Sequence, residues 1–400
     1  MNESTPSTLN DVSEFIVDCL HATAPIENDG YPLIRTPNIG KGRLDLDGVQ
    51  RVSQSTYETW TQRAIPQPGD LIFAREAPAG NVAIVLEGQQ VCLGQRTVHI
   101  RPSREKVNPN FLCYFLLAPQ QQGLLLAAET GATAKHINMK DIRRLPLVRL
   151  PELAAQQRIG SMLADYDDLI DNNRRRIKLL EHSVRLLFDE WFVKGHKAGW
   201  PTSTLQQLCA DEAGIQTGPF GSQLHQSDYA EEGVPVVMPK DLATMKIDTQ
   251  SIARIPEHLA DELGRHRMQY GDIVFGRRGE IGRRAYIGRR QIGYFCGTGC
   301  LRLRPSAERV NPRFLFEALR APAVAGDIAS RAKGSTMANL SAGAMQAVTV
   351  PVPPRQLQDR FAAFVEDASE QVDTLDEQSR KLRTARDLLL PRLMSGELTV

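Results

Sequence analysis

From Glu152 onward the apolar residues keep a regular rhythm. Ile159, Leu163, Tyr166, Ile170, Ile177, Leu180, Val184, Leu187 and Trp191 are spaced in alternating steps of four and three, with Asn173 in the one slot that is not apolar. Such steps line one face of a long helix, and no Pro or Gly interrupts the run between Gly160 and Gly195. The pattern predicts a helix from Glu152 to about Val193. A second, weaker seam lies 202 positions later, at Phe361, Val365, Ala368, Val372, Leu375, Ser379, Leu382, Arg386, Leu389 and Leu393. Prolines stand in front of each helix, at Pro146 and Pro151 and in the run 350–354, where they are tolerated. A one-sided apolar stripe in water is unfavourable by roughly 25 cal/mol per Å². The two helices are therefore expected to pack on each other as an antiparallel coiled coil. The alternative is that each helix is core for its own domain.

The segments before the helices have a different texture. GDLIFA, NVAIVL and TVHIRP are short β-type runs bounded by Gly and Pro. NPNFLCYFLLAP, from Asn108, reads as a helix capped by Asn108 with Pro109 in its first turn. Nearly the same twelve residues return as NPRFLFEALRAP from Asn311. Other segments return in the same order at the same offset: Gly69 with Gly271, HIRP with RLRP, YPLIRTPNI with VPVVMPKDL, and GATAKHIN with GSTMANLS. This amounts to an internal duplication. The expected fold is α+β, with two mixed α/β domains, each followed by a long helix, in a pseudo-twofold repeat. The boundaries are 1–150 and 196–354 for the domains, and 151–195 and 355–400 for the helices.

Composition agrees with a globular chain of two to three domains: 400 residues, 42% hydrophobic and 24% charged. The opening MNESTPSTLNDVSEF lacks the basic and apolar regions of a secretory signal, and no apolar run approaches a membrane span. The six cysteines form no zinc pattern and are expected to be free thiols in a reducing cytoplasm. A net charge of +1 means that an anionic partner must be met by local patches. One patch is plain: Gly276–Arg290 holds six arginines and one glutamate. Its glycines mark turns, so these arginines are expected on loops or strand ends. They serve either as a solvated edge or as a contact surface.

No catalytic constellation is found. There is no phosphate-cradling G-x-x-x-x-G-K-[ST], and Asn-Pro occurs only in the two helix caps. His99, His136 and His266 have no spaced partner for a metal or triad site. Asp167 and Asp168 fall off the seam and are expected on a solvated face.

The stretch 147–192 between the domains, the closing RDLLLPRLMSGEL, and GPFGSQL at Gly218–Leu224 carry a resemblance that covers nearly the whole chain. The sequence resembles the specificity subunits of type I restriction–modification systems, although the first repeat has no counterpart of GPFGS. The resemblance implies a non-catalytic subunit with two DNA target-recognition domains, each reading half of a split, asymmetric target. Its helices would dock two methyltransferase subunits that methylate adenine, and restriction (motor-nuclease) subunits would join for cleavage. S-adenosylmethionine, ATP and magnesium would belong to those partners, with no cofactor in this chain. The alternatives are a protein scaffold that does not bind DNA, or a stand-alone DNA-modifying enzyme.

With double-stranded DNA as partner, Arg277, Arg278, Arg283 and Arg284 are the leading candidates for contact, either with phosphates or with guanine. Arg75, Lys41, Arg43, Arg96 and Lys135 in the first domain, and Lys240, Lys333 and Ser335 in the second, are further candidates chosen for their position near turns. Trp191 fills the seam, whereas Phe188 and Phe192 are expected to point elsewhere. The three are candidates for partner docking.

Overall fold

A computed structural model describes residues 7–131, 135–195, 199–211, 213–221, 223–242, 246–249, 251–278, 281–332 and 339–400. The chain divides into two compact units, Met1–Arg175 with Leu375–Val400, and Arg176–Thr374. Both divisions fall inside a long helix.

In the first unit the β-type runs become β1 (Ser13–Asp18), β2 (Tyr31–Ile34), β3 (Gly42–Arg43), β4 (Arg51–Val52), β5 (Leu71–Ala74), β6 (Val82–Ile84), β7 (Cys92–Leu93) and β8 (Thr97–Pro102). One sheet has the order β1-β8-β5-β6-β3, and a smaller one the order β4-β2-β7. In the smaller sheet β2 runs parallel to β7. Leu71, Phe73, Val98 and Ile100 pack against Phe111, Leu112 and Phe115 of α1 (Pro109–Leu117) and against Ile159 and Leu163 of α2 (Leu153–Phe188). The cap is as the sequence predicts: Asn108 Oδ1 accepts from the Phe111 N–H at 3.0 Å. The Asn108 N–H in turn donates to Gln156 Oε1 at 2.9 Å, fastening α1 to the first turn of α2. Glycine is required at 160, because a Cβ there would stand 2.7 Å from the Phe111 nitrogen.

In the second unit the strands are β9 (Ile215–Thr217), β10 (Val234–Val237), β11 (Ala253–Ile255), β12 (Ile273–Gly276), β13 (Arg284–Tyr286), β14 (Phe295–Cys296) and β15 (Cys300–Leu303). They form a sheet β9-β15-β12-β13 and a smaller sheet β11-β10-β14, in which β10 runs parallel to β14. A helix α3 (Pro312–Ala318) is capped by Asn311, whose N–H donates to Gln358 Oε1 at 2.9 Å in the first turn of α4 (Arg355–Met394). The Asn–Gln fastening of the first unit is thus present here too.

The predicted first helix continues past Phe188 as a π-helical turn, Asp189–Lys194. Every seam residue of α2 and α4 is buried or half-buried, including Asn173 and Ser379. In the first unit Arg158 Nε donates to the Val400 carbonyl at 2.7 Å, and Asp167 pairs with Arg386. Numbers rise along one segment as they fall along the other, so the segments run antiparallel.

Two expectations are corrected by this packing. Asp167 is buried rather than solvated: its carboxylate accepts from the Tyr114 hydroxyl at 2.6 Å and pairs with Arg386. Phe188 and Phe192 do not face a partner. They lie in the core of the second unit, with ring centroids 5.6 and 5.2 Å from Phe361. A heptad pattern reports one apolar stripe, whereas each end of α2 buries a second stripe against its own globular unit. Trp191 is half-buried on the seam, with Arg360 over its ring. Among the described residues no helix is long and apolar enough to cross a membrane, and no cluster of His, Cys, Asp and Glu could hold a metal.

Candidate nucleic-acid interface

In each unit the central strand β5 or β12 ends in an arginine that ties three segments together. In the first unit the Arg75 N–H donates to the Arg96 carbonyl at 3.1 Å, and the Arg75 carbonyl accepts from the Ile137 N–H at 3.0 Å. Glu76 stands across an isolated bridge from His136, and its carboxylate is 2.9 Å from Arg96 Nε. Arg75, Arg96 and the segment beginning at Lys135 therefore converge. Lys135 is exposed and faces Glu129 at 3.8 Å. In the second unit the Arg277 N–H donates to the Gly299 carbonyl at 3.0 Å, and its carbonyl accepts from the Leu340 N–H at 2.8 Å. Arg278 stands across a bridge from Asn339. The same backbone frame thus carries Arg75, Glu76, Arg96 and His136 in one unit, and Arg277, Arg278, Gly299 and Asn339 in the other.

The arginine run does not act as one patch. Arg278 and Arg283 are exposed, and Arg277 is half-buried against Asn339 Oδ1 at 3.3 Å. Burial and the neighbouring Arg278 both lower the Arg277 pKa. Arg289 and Arg290 lie 3.9 Å from Glu370 and Asp373 of α4, so they face that helix. Arg284 is a correction. It is buried between Phe275 and Phe316, and burial pushes its pKa down to about 10. As a member of β13, its side chain alternates to the inner face.

Arg43 is a second correction. Its side chain is only 11% exposed, and Nη2 donates to the Ala164 carbonyl and to Asp168 Oδ1 at 2.7 Å. It is a strut between β3 and α2. Lys41 is exposed on the turn before β3 and makes no bond to the cluster among the described residues. Lys240 is exposed beside Pro239, which packs against Gly299, so it joins the second cluster. Lys333 and Ser335 lie outside the described residues.

Sequence reasoning missed two residues. Arg35, exposed at the end of β2, lies against Gly94, where a Cβ would meet its Cγ at 3.1 Å. Phe220 is 58% exposed on the Gly218–Leu224 loop. That loop is fixed to the 297–300 turn, since the Gly218 N–H donates to the Cys300 carbonyl and Thr298 Oγ1 donates to the Pro219 carbonyl. The Gly-Pro-Phe-Gly punctuation was a usable signal for Phe220; nothing in the sequence singled out Arg35.

At the other end of β5 from Arg75, a titratable group has a structural role. Asp70 is buried. Burial alone would raise its pKa, but bonds from Arg101 (2.7 Å), His99 (2.6 Å) and the Gln67 N–H outweigh this and hold it at about 2. All six cysteines are free and buried. The clusters offer guanidinium, ammonium, amide and ring groups at loop ends, a set suited to binding an anionic or hydrogen-bonding surface.

Comparison with known proteins gives a consistent picture. The family described as Type I restriction modification DNA specificity domain matches residues 1–182 and 224–383. The protein assigned as the type I MjaX specificity subunit of Methanocaldococcus jannaschii is 23% identical over 414 residues, spanning 98% of this chain and 93% of its own. The MjaIX specificity subunit of the same organism is 22% identical, over 88% of this chain and 83% of its own. The crystal structure of the type I S subunit from M. genitalium has a TM-score of 0.61 at 19% identity, with 97% of this chain and 95% of that one covered. Two compact units with long helices, and a family match across most of the chain, agree: it belongs to the type I restriction–modification DNA specificity family.

Proposed function

We propose that the chain is the non-catalytic subunit that reads DNA for a type I restriction–modification complex, with a bipartite, asymmetric target read one half by each unit. The observation that carries this reading is the shared backbone frame at the end of both sheets, filled with different side chains in each. A common frame suits a common task, and different side chains suit different base sequences. The strand orders, which correspond apart from the extra edge strand β3 of the first unit, and the Asn–Gln fastening in both units support a pseudo-twofold internal repeat, with α2 and α4 forming an antiparallel coiled coil.

In this reading two methyltransferase subunits dock on the helices and methylate adenine. Leu169, Leu179, Leu186 and Leu388 support the docking, since they are large apolar residues more than half exposed on α2 and α4. Restriction subunits join for cleavage. S-adenosylmethionine is held by the methyltransferase subunits, and ATP and magnesium by the restriction subunits, in the cytoplasm. The test is to purify the chain with its methyltransferase partner and measure retention of duplex DNA against competitor. Sequence-specific retention by the complex, with no methylation or cleavage by the chain alone, is expected. Modification or cutting by the chain alone would make it an enzyme, and no specific retention would make it a scaffold.

A further inference from the structure

The turns Gly94–Thr97 and Gly297–Cys300 hold the same place in their units. Each leads into a central strand, and its third residue accepts a backbone bond from Arg75 or Arg277. That third residue is left-handed in both, with φ of 70° at Arg96 and 83° at Gly299. The third position of a type II turn has this conformation, and it favours glycine because a Cβ is strained there. The second unit has glycine. The first keeps an arginine against the preference of its own backbone, and such a residue points to a use for the side chain.

The surroundings indicate the use. The Arg96 side chain is 56% exposed, with Nε 2.9 Å from Glu76 Oε2. Its Nη1 and Nη2 make no bond among the described residues. A carboxylate beside an arginine is a poor device for gripping phosphate, because it cancels the attraction. It is a good device for holding a guanidinium in one orientation. Bidentate bonding to guanine O6 and N7 in the major groove needs such a fixed fork. We propose that Arg96 is a specificity-determining residue of the first unit, oriented by Glu76 and reading a guanine in its half-site. This rests on the DNA-recognition reading above. Gly299 offers no side chain at the corresponding place, so the second unit cannot make the same contact there.

The experiment uses the complex with its methyltransferase partner, carrying Arg96→Gly, Arg96→Lys or Glu76→Gln. The readouts are the methylated motif, affinity for the parent target, and melting temperature. Arg96→Gly should melt no lower than the parent, since strain is removed. Its affinity should fall roughly 10- to 100-fold, the range for loss of one bidentate base contact. One base of the first half-site should relax while the second half-site stays fixed. Arg96→Lys keeps the charge but not the fork, and should relax the same base. Glu76→Gln should relax it less. An unchanged motif in Arg96→Gly would overturn the inference. So would full rescue by lysine, which would mean a phosphate contact, or a melting loss large enough to explain the weakened binding. A parent complex without sequence-specific binding would overturn the proposed function itself, and this inference with it.

Discussion

Arg278 is exposed and Arg277 leans on Asn339 at the end of β12, so replacing both with alanine should weaken DNA binding by the complex and leave its assembly intact. If both hold phosphates, the slope of log affinity against log salt should fall by about one unit for each. If they read bases, one half-site should relax. Unchanged affinity, slope and motif would leave them a solvated edge. Arg284→Ala should behave differently, destabilising the second unit by about 1–3 kcal/mol through lost packing while leaving the salt slope alone. A sequence shows these arginines as one run, but strand alternation and the core beneath decide which face solvent. Asp70 contributes to the pH dependence of stability. Its pKa is about 2 in the folded chain against 3.8 for the free group, so it stabilises fully above pH 4, and that contribution is lost as pH falls toward 2. The loss is about 2 kcal/mol. Asp70→Asn should flatten the stability curve across that window, and an equally steep curve in the variant would exclude Asp70 as its source.

At the scale of elements, both seams and both helix caps were legible, because 3.5-residue periodicity and Asn-Pro are local signals. The second buried stripe of α2 was not. Asp167 looks like one of many surface acids until Tyr114, which lies 53 positions earlier, and Arg386, near the C-terminus, are brought to it. Breaking a buried pair by removing one partner costs roughly 3–5 kcal/mol, so Arg386→Ala should lower the stability of the first unit by about that amount in denaturant titration. A loss below about 1 kcal/mol would mean that Asp167 is satisfied by Tyr114 alone. We also propose that the length of α2 sets the distance between the two half-sites, and this has its own test. Four residues inserted after Arg176 lengthen the helix by about 6 Å and rotate the downstream residues by about 40°, a stutter that coiled coils absorb by local unwinding. The methylated motif should keep both half-sites and gain one or two unspecified base pairs between them. A changed half-site, or an unchanged gap at full activity, would show that this helix does not set the distance.

For the whole molecule, the proposed repeat rests on a legible signal, since short islands such as Asn108–Pro119 and Asn311–Pro322 recur in order at one offset. Several residues of the proposed DNA-reading place, among them Arg75, Arg96, Arg277 and Arg278, were named from the sequence, but how they align between the two units was not legible. That place lies at the ends of β5 and β12, where residues far apart in sequence meet through backbone bonds, and single letters do not show which positions those bonds align. Two such places, differently filled, are the ground for a split target. The most direct test is modified-base sequencing of DNA from cells that carry the methyltransferase partner with and without this chain. The account predicts a single methylated motif, made of two different specified halves around an unspecified gap, that appears only when the chain is present. Methylation that persists without the chain, or a motif with one continuous specified block, would contradict it.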